Sequence, residues 1–193
     1  MVPMNPVEQQ YIVKAIEADP LSDADIKRVL GRSCRIIKYS QLKRYSSIDV
    51  LLSKDVDYVI LLYQDHPNRG HWRCVCRYDN IIEFFDPYGN YPDKELLWVP
   101  LKMRKQLKQD HAYLTYLFNR TDREVIYNNV KYQELKGDIK TCGSHCCHRI
   151  YRLIHNNMSL KDYYKYMSTM KQRTKHTYDE LVAIFMQPFL LHS

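Results

Sequence analysis

"HWRCVCRYDNIIEFFD", residues 71–86, reads as two β-strands around a two-residue turn. Both arms are rich in aromatic and β-branched residues, and Asp79 and Asn80 between them are residues that tolerate a tight hairpin turn. With those two as the loop, Tyr78 faces Ile81, Arg73 faces Asp86, and His71 faces Tyr88. Directly opposed residues share a face of the sheet, and side chains alternate along each strand. His71, Arg73 and Asp86 therefore share one face, with His71 and Asp86 as diagonal neighbours whose Cα atoms lie about 7–8 Å apart. A carboxylate so placed can orient an imidazole and stabilise its charged form. Trp72, Cys74 and Cys76 fall on the opposite face, where the two cysteines read as small buried hydrophobes.

Outward from the hairpin, residues 56–63 ("VDYVILLY") are almost continuously apolar and predict a central strand. Residues 97–118 predict a mainly helical segment after Pro100, and "VIYNNVKYQ", residues 125–133, predicts a second hairpin turning at Asn128 and Asn129. Near the start, Pro6 suits a first helical position. Ser22, Asp25 and Gly31 then mark a second helix by its N-cap, its acidic third partner and its C-cap. Two helices close the chain, and the last opens with Thr177 and Glu180 as a capping box. The fold class is α+β: a small central mixed sheet flanked by helices. No repeat, low-complexity run or linker divides the chain, so residues 1–193 are expected to form a single domain with helical additions at both ends.

"TCGSHCCHRI", residues 141–150, places Cys142 where a polar loop becomes a helix. A thiolate there gains from the positive helix end and its unpaired N–H groups. Gly143 leaves the adjoining backbone open, so a substrate carbonyl could approach these amides. Cys146, Cys147, Ile150, Leu153 and Ile154 form an apolar stripe and read as core. His145 and His148, one turn apart, either flank a site or face solvent. Cys142, His145, Cys146 and His148 are also zinc-ligand types, but their spacing lacks paired CxxC knuckles, and no metal is expected.

Composition bounds the partners. The 193 residues carry a net charge of +7, a mild attraction toward polyanions. The densest basic stretch, residues 101–109, reads as the solvated face of a helix. No signal peptide or long apolar run is present, so a protein without membrane association, with reduced cysteines, is expected.

His71-Trp72 in "GHW", then Asp86 in "FFDPYG", then Cys142-Gly143 in "TCGSHCC" resemble the ordered motifs of the adenain-like viral cysteine proteases. These share a papain-like fold with the ubiquitin-like-protein proteases. The form "TCGSHC" looks most like the proteases of virophages and Maverick/Polinton elements. The resemblance covers residues 56–154. It implies a catalytic triad of His71, Asp86 and Cys142, with the nucleophile at the N-terminus of a buried helix. It also implies Gln133 as oxyanion donor, although Gln133 precedes Cys142 by a longer spacing than the family shows. Trp72 and Gly143 take supporting roles. The implied function is an endopeptidase that cleaves viral capsid or other virion precursors during maturation. It would be found in the virion and the host-cell cytoplasm, as a monomer. No cofactor is required, while DNA or a viral peptide would fit as an activator, and the positive charge would serve non-specific DNA binding. Two other readings share these residues or this charge. One is a deconjugating protease for ubiquitin-like modifiers. The other is a non-enzymatic module that binds nucleic acid or is stabilised by zinc.

Overall fold

The hairpin of residues 71–86 forms the middle of a five-stranded mixed sheet in the computed structural model, which describes residues 5–53, 56–67 and 69–191. The chain divides into two compact units, Cys34–Lys131 and a second made of Met1–Ser33 with Tyr132–Ser193.

The first of these holds the sheet: β1 (Ile36–Lys38), β2 (Tyr58–His66), β3 (Arg69–Tyr78), β4 (Ile81–Phe85) and β5 (Glu124–Tyr127), in spatial order 1-2-3-4-5. The two outer pairings are parallel and the two inner ones antiparallel. Register between β3 and β4 runs from Tyr78 opposite Ile81 to Cys74 opposite Phe85, as the Asp79-Asn80 turn requires. Asp79 has φ +49°, in the left-handed region that such a turn needs. Its carbonyl accepts a hydrogen bond from Arg123 Nη1 at 2.9 Å.

One face of the sheet carries Val59, Leu61, Val75, Ile82 and Phe84 into a core with Leu42, Ile48, Leu51, Leu114 and Leu117. The last five come from a 3-10 helix (Tyr39–Arg44) and from two short helices, α3 (Ile48–Leu51) and α5 (Tyr113–Phe118). Each such side chain, once buried, contributes about 1.5–3 kcal/mol.

Two expectations are corrected in this unit. The helix foreseen over 97–118 is broken into α4 (Leu101–Gln106) and α5. Lys108 between them takes φ +58°. The side chain of Gln109 is buried and bonds both backbone groups of Gln64 on β2. Completing that pair of bonds to a strand takes precedence over continuing the helix. The second hairpin is likewise absent. Only β5 forms, parallel to β4, and Asn128 follows it with a fully buried side chain. Its amide accepts from Asp86 N–H at 2.8 Å and donates to Val130 O at 3.0 Å, so it serves as a tie instead of a turn.

The other unit is helical: α1 (Pro6–Ala18), α2 (Asp23–Leu30), α6 (Cys142–Asn156), α7 (Leu160–Thr174) and α8 (Tyr178–Leu191). The caps stand where the sequence marks them. Asn5 accepts from Val7 N–H at 3.0 Å ahead of Pro6. Ser22 and Asp25 complete a capping box, and Gly31 ends α2 at φ +92°. Thr177 and Glu180 do the same for α8, through bonds of 2.8 and 3.1 Å. Helix α6 departs from a simple stripe. Cys142 through Ile150 are all buried, polar residues included, while Ile154 is half exposed. Buried Arg149 donates to Met158 O at 3.1 Å and lies over the Tyr163 ring, which accounts for a charge in such a place. Among the described residues no helix is long and apolar enough to cross a membrane.

Candidate active site

In the sheet unit, β3 and β4 bring His71 and Asp86 together as their register dictates. His71 Nε2 meets Asp86 Oδ1 at 2.8 Å. Asp86 is fully buried, just past the end of β4, and a ring of donors surrounds it. Tyr88 N–H donates to Oδ1 at 3.1 Å, and Asn90 Nδ2 donates to Oδ2 at 2.8 Å. The tight turn beyond it is closed by Gly89 N–H donating to Asp86 O at 2.8 Å. Gly89 has φ +71°, and a Cβ there would lie 2.8 Å from the Val130 carbonyl carbon, so no other residue fits the turn without a shift.

Arg73 supplies the charge that this carboxylate faces. Its Nε lies 3.7 Å from Asp86 Oδ2 and 3.2 Å from Glu95 Oε1, and all three side chains are almost fully buried. Burial drives the Asp86 carboxyl upward. The Arg73 charge and the hydrogen bonds from His71 and Asn90 outweigh it and hold Asp86 well below the usual carboxylate range. Glu95 differs: burial prevails over the pull of Arg73 and pushes its carboxyl up. Asp86 therefore stays ionised beside the imidazole.

The His71 ring is also held from its face. Tyr88 stacks on it with centroids 4.4 Å apart and planes 12° from parallel, and Trp98 meets Tyr88 edge-on at 6.2 Å. With Nε2 hydrogen-bonded to Asp86 and the ring stacked, the imidazole has a fixed orientation and a fixed tautomer, Nε2–H when neutral. Trp72 alternates with His71 and Arg73 along β3, lies opposite Leu62, and is buried.

In the helical unit, Cys142 is the first residue of α6, and Thr141 is its cap. Cys142 is 6% exposed, whereas Cys74, Cys76, Cys146 and Cys147 are 0% exposed. None of the six cysteines is joined in a disulfide. Gly143 follows Cys142 and is buried, so the start of the helix carries no side chain at that position. Gln133 is buried, and its Nε2 donates to Ile139 O at 3.2 Å. A primary amide carries two N–H groups, so one hydrogen remains for an acceptor such as an oxyanion.

His145 and His148 do not face solvent. His145 Nε2 bonds Asp179 Oδ1 at 3.0 Å. His148 Nδ1 meets the Tyr163 hydroxyl at 2.8 Å, and its Nε2 accepts from Arg152 Nε at 3.2 Å. Burial and the nearby Arg152 charge lower the His148 pKa well below the ordinary range, so it stays neutral. These bonds occupy both histidines of the zinc reading, and among the described residues no group of three or more metal-ligating side chains converges.

Sequence reasoning placed His71 and Asp86 correctly with respect to each other. It gave no role to Arg73, Tyr88, Asn90, Asn128 or Asp179. Arg73 and Tyr88 were within reach, since the hairpin register already set them beside His71 and Asp86. Asn128 and Asp179 carry no local spacing signal.

No family model matches the chain. A protein of Sputnik virophage, described as "Uncharacterized protein V9", is 36% identical over 173 residues, spanning 89% of this chain and 97% of that one. Among solved structures, the SUMO protease Ulp1 with its catalytic cysteine oxidised to a sulfinic acid is 14% identical. It aligns at a TM-score of 0.40 over 95% of this chain and 97% of that one. The central domain of protein Lpg1148 from Legionella pneumophila is 16% identical at 0.41, over 89% and 98%. Likeness at these scores decides neither activity nor substrate.

Proposed function

This chain belongs to the family of Sputnik virophage protein V9, and we propose that it is a cysteine endopeptidase that cleaves virion precursor proteins. The observation that carries the reading is the His71–Asp86 pair. A 2.8 Å hydrogen bond joins the imidazole to a fully buried carboxylate that Arg73 and Asn90 keep ionised. Such an arrangement has a large desolvation cost and suits an imidazole that must accept and release protons in one orientation. The Cys-Gly start of α6 supports it from the side of the nucleophile, and the "GHW", "FFDPYG" and "TCGSHCC" order supports the class of reaction.

The proposed reaction follows from these roles. With Nε2 held by Asp86, His71 Nδ1 takes the proton of the Cys142 thiol. The thiolate attacks the scissile carbonyl carbon, and the carbonyl π pair moves onto oxygen. The Cys142 N–H and the second N–H of the Gln133 amide stabilise that oxyanion. The C–N bond then breaks, and the amine leaves with the proton from the His71 imidazolium. Water, deprotonated by His71, attacks the thioester, releases the carboxylic acid product and restores the thiol. Trp72 and Gly143 support the pocket. The virophage relative and the family resemblance favour capsid precursors as substrates, inside the virion or the infected-cell cytoplasm. The charge of +7 suits retention on the viral genome.

The test is incubation of the protein with virophage capsid proteins, followed by mapping of new termini. Wild type should generate discrete termini. Cys142→Ala and His71→Ala should generate none, while both remain folded. Equal cleavage by wild type and Cys142→Ala would reject the reading, and cleavage confined to ubiquitin-like conjugates would reject the substrate.

A further inference from the structure

We infer that Asp179 is a positioning residue for the proposed oxyanion pocket, a single buried carboxylate that ties the loop carrying Gln133 to the helix start carrying Cys142. The inference rests on the peptidase reading above and concerns residues of the helical unit alone.

The long stretch between Gln133 and Cys142 poses a physical problem. A donor amide stabilises a transition state only when it is preorganised, and a long polar loop resists that by its conformational entropy. The structure offers a tie at each end. Asp179 Oδ2 accepts from Glu134 N–H at 3.1 Å, next to Gln133. Asp179 Oδ1 accepts from the Thr141 hydroxyl, next to Cys142, and from His145 Nε2 at 3.0 Å, one turn into α6. Thr141 O in turn accepts from His145 N–H at 2.9 Å, the opening bond of the helix. Within the loop, Ile139 N–H donates to Lys136 O at 3.1 Å, Lys140 N–H donates to Glu17 O at 2.7 Å, and Gln133 Nε2 donates to Ile139 O. Hydrogen bonds thus run from Asp179 to both sides of the loop, fully buried at Thr141 and His145 and part-buried at Glu134.

Asp179 is fitted to this task. It is 0% exposed and sits in the first turn of α8, whose start is fixed by the Thr177–Glu180 box. Burial pushes its carboxyl up, but the donors from His145, Thr141 and Glu134 outweigh that and keep it below the usual range. Its three bonds are therefore charge-assisted, about twice as strong as neutral ones. His145 and Asp179 are both fully buried. The Gln133 carbonyl oxygen is buried with no hydrogen-bond partner among the described residues.

The test compares two reactions of the Cys142 thiol in the full-length protein, with Cys142→Ala as the blank for the other cysteines. Acylation by p-nitrophenyl acetate passes through an oxyanion. Alkylation by iodoacetamide is a displacement at saturated carbon and forms none. Asp179→Ala and Asp179→Asn should lower acylation about tenfold or more, with Asn the milder, while alkylation stays within about threefold of wild type. A general loss of packing would not separate the two rates. A folded Asp179 variant that acylates like wild type overturns the inference, as does one that loses both reactions in parallel. Thr141→Val removes one donor and keeps the buried shape. It should show a smaller loss with the same selectivity, and unchanged acylation there overturns the inference even if the Asp179 variants fail to fold. Wild type without Cys142-dependent ester turnover would count against the peptidase reading itself.

Discussion

Asp86 concentrates the energetics of the sheet unit in one side chain. It is the hydrogen-bond acceptor of His71, Tyr88 and Asn90 and lies against the buried Arg73 charge. Replacing it with Asn leaves Arg73 with a weaker counter-charge, and removing one partner of a buried pair typically costs about 3 kcal/mol or more. The pH dependence follows from the direction of its shift. A carboxyl whose folded pKa lies below its unfolded value contributes stability above the unfolded value, near about 3.9, and loses it as pH falls through the folded value. The part of the stability gap between wild type and Asp86→Asn that comes from Asp86 ionisation should therefore shrink below about pH 4. Urea titrations between about pH 5 and pH 2 measure it, and a gap that widens as pH falls below about 4 would contradict the assignment of Asp86 as an ionised residue. Much of this residue's setting was legible. Two-residue loop chemistry alone put Arg73, Asp86 and His71 on one face. The partners Asn90 and Asn128 were not legible, because each reaches Asp86 through a turn or across a parallel pairing.

At the level of elements, the β3–β4 turn sets the alignment of imidazole and carboxylate. Its first residue, Asp79, occupies left-handed backbone at φ +49°. A β-branched side chain there is strained, so Asp79→Val should lower stability by about 1–2 kcal/mol. Asp79→Gly should be neutral or slightly stabilising, as chemical denaturation would read. Activity per folded molecule should persist in both, since the turn itself touches no reacting group. A stability unchanged by Asp79→Val would contradict the turn geometry. The same chemistry misled at residues 128–129, where an Asn pair between apolar runs resembles a turn. Asn128 instead spends both ends of its amide on Asp86 N–H and Val130 O. The helical spacing of residues 97–118 failed for a similar reason, since Gln109 bonds the backbone of β2. In each case a long-range polar tie overrode a local pattern.

Across the whole molecule, the proposed chemistry is divided between the two units of the chain. His71, Asp86 and Arg73 lie in the sheet unit, and Cys142, Gln133 and Asp179 lie in the helical unit. The Cys-Gly opening of α6 was readable because helix starts have a local signature. Asp179 was not, since its meaning arises only when α8 is folded against the loop and α6. The proposed reaction needs the His71 imidazole to act on the Cys142 thiol. The rate of Cys142 alkylation by iodoacetamide against pH, followed by mass spectrometry in wild type and His71→Ala, tests that most directly. Wild-type Cys142 should be modified rapidly at about pH 6, and the His71→Ala protein should react comparably only above about pH 8. Superimposable profiles for the two proteins would contradict it.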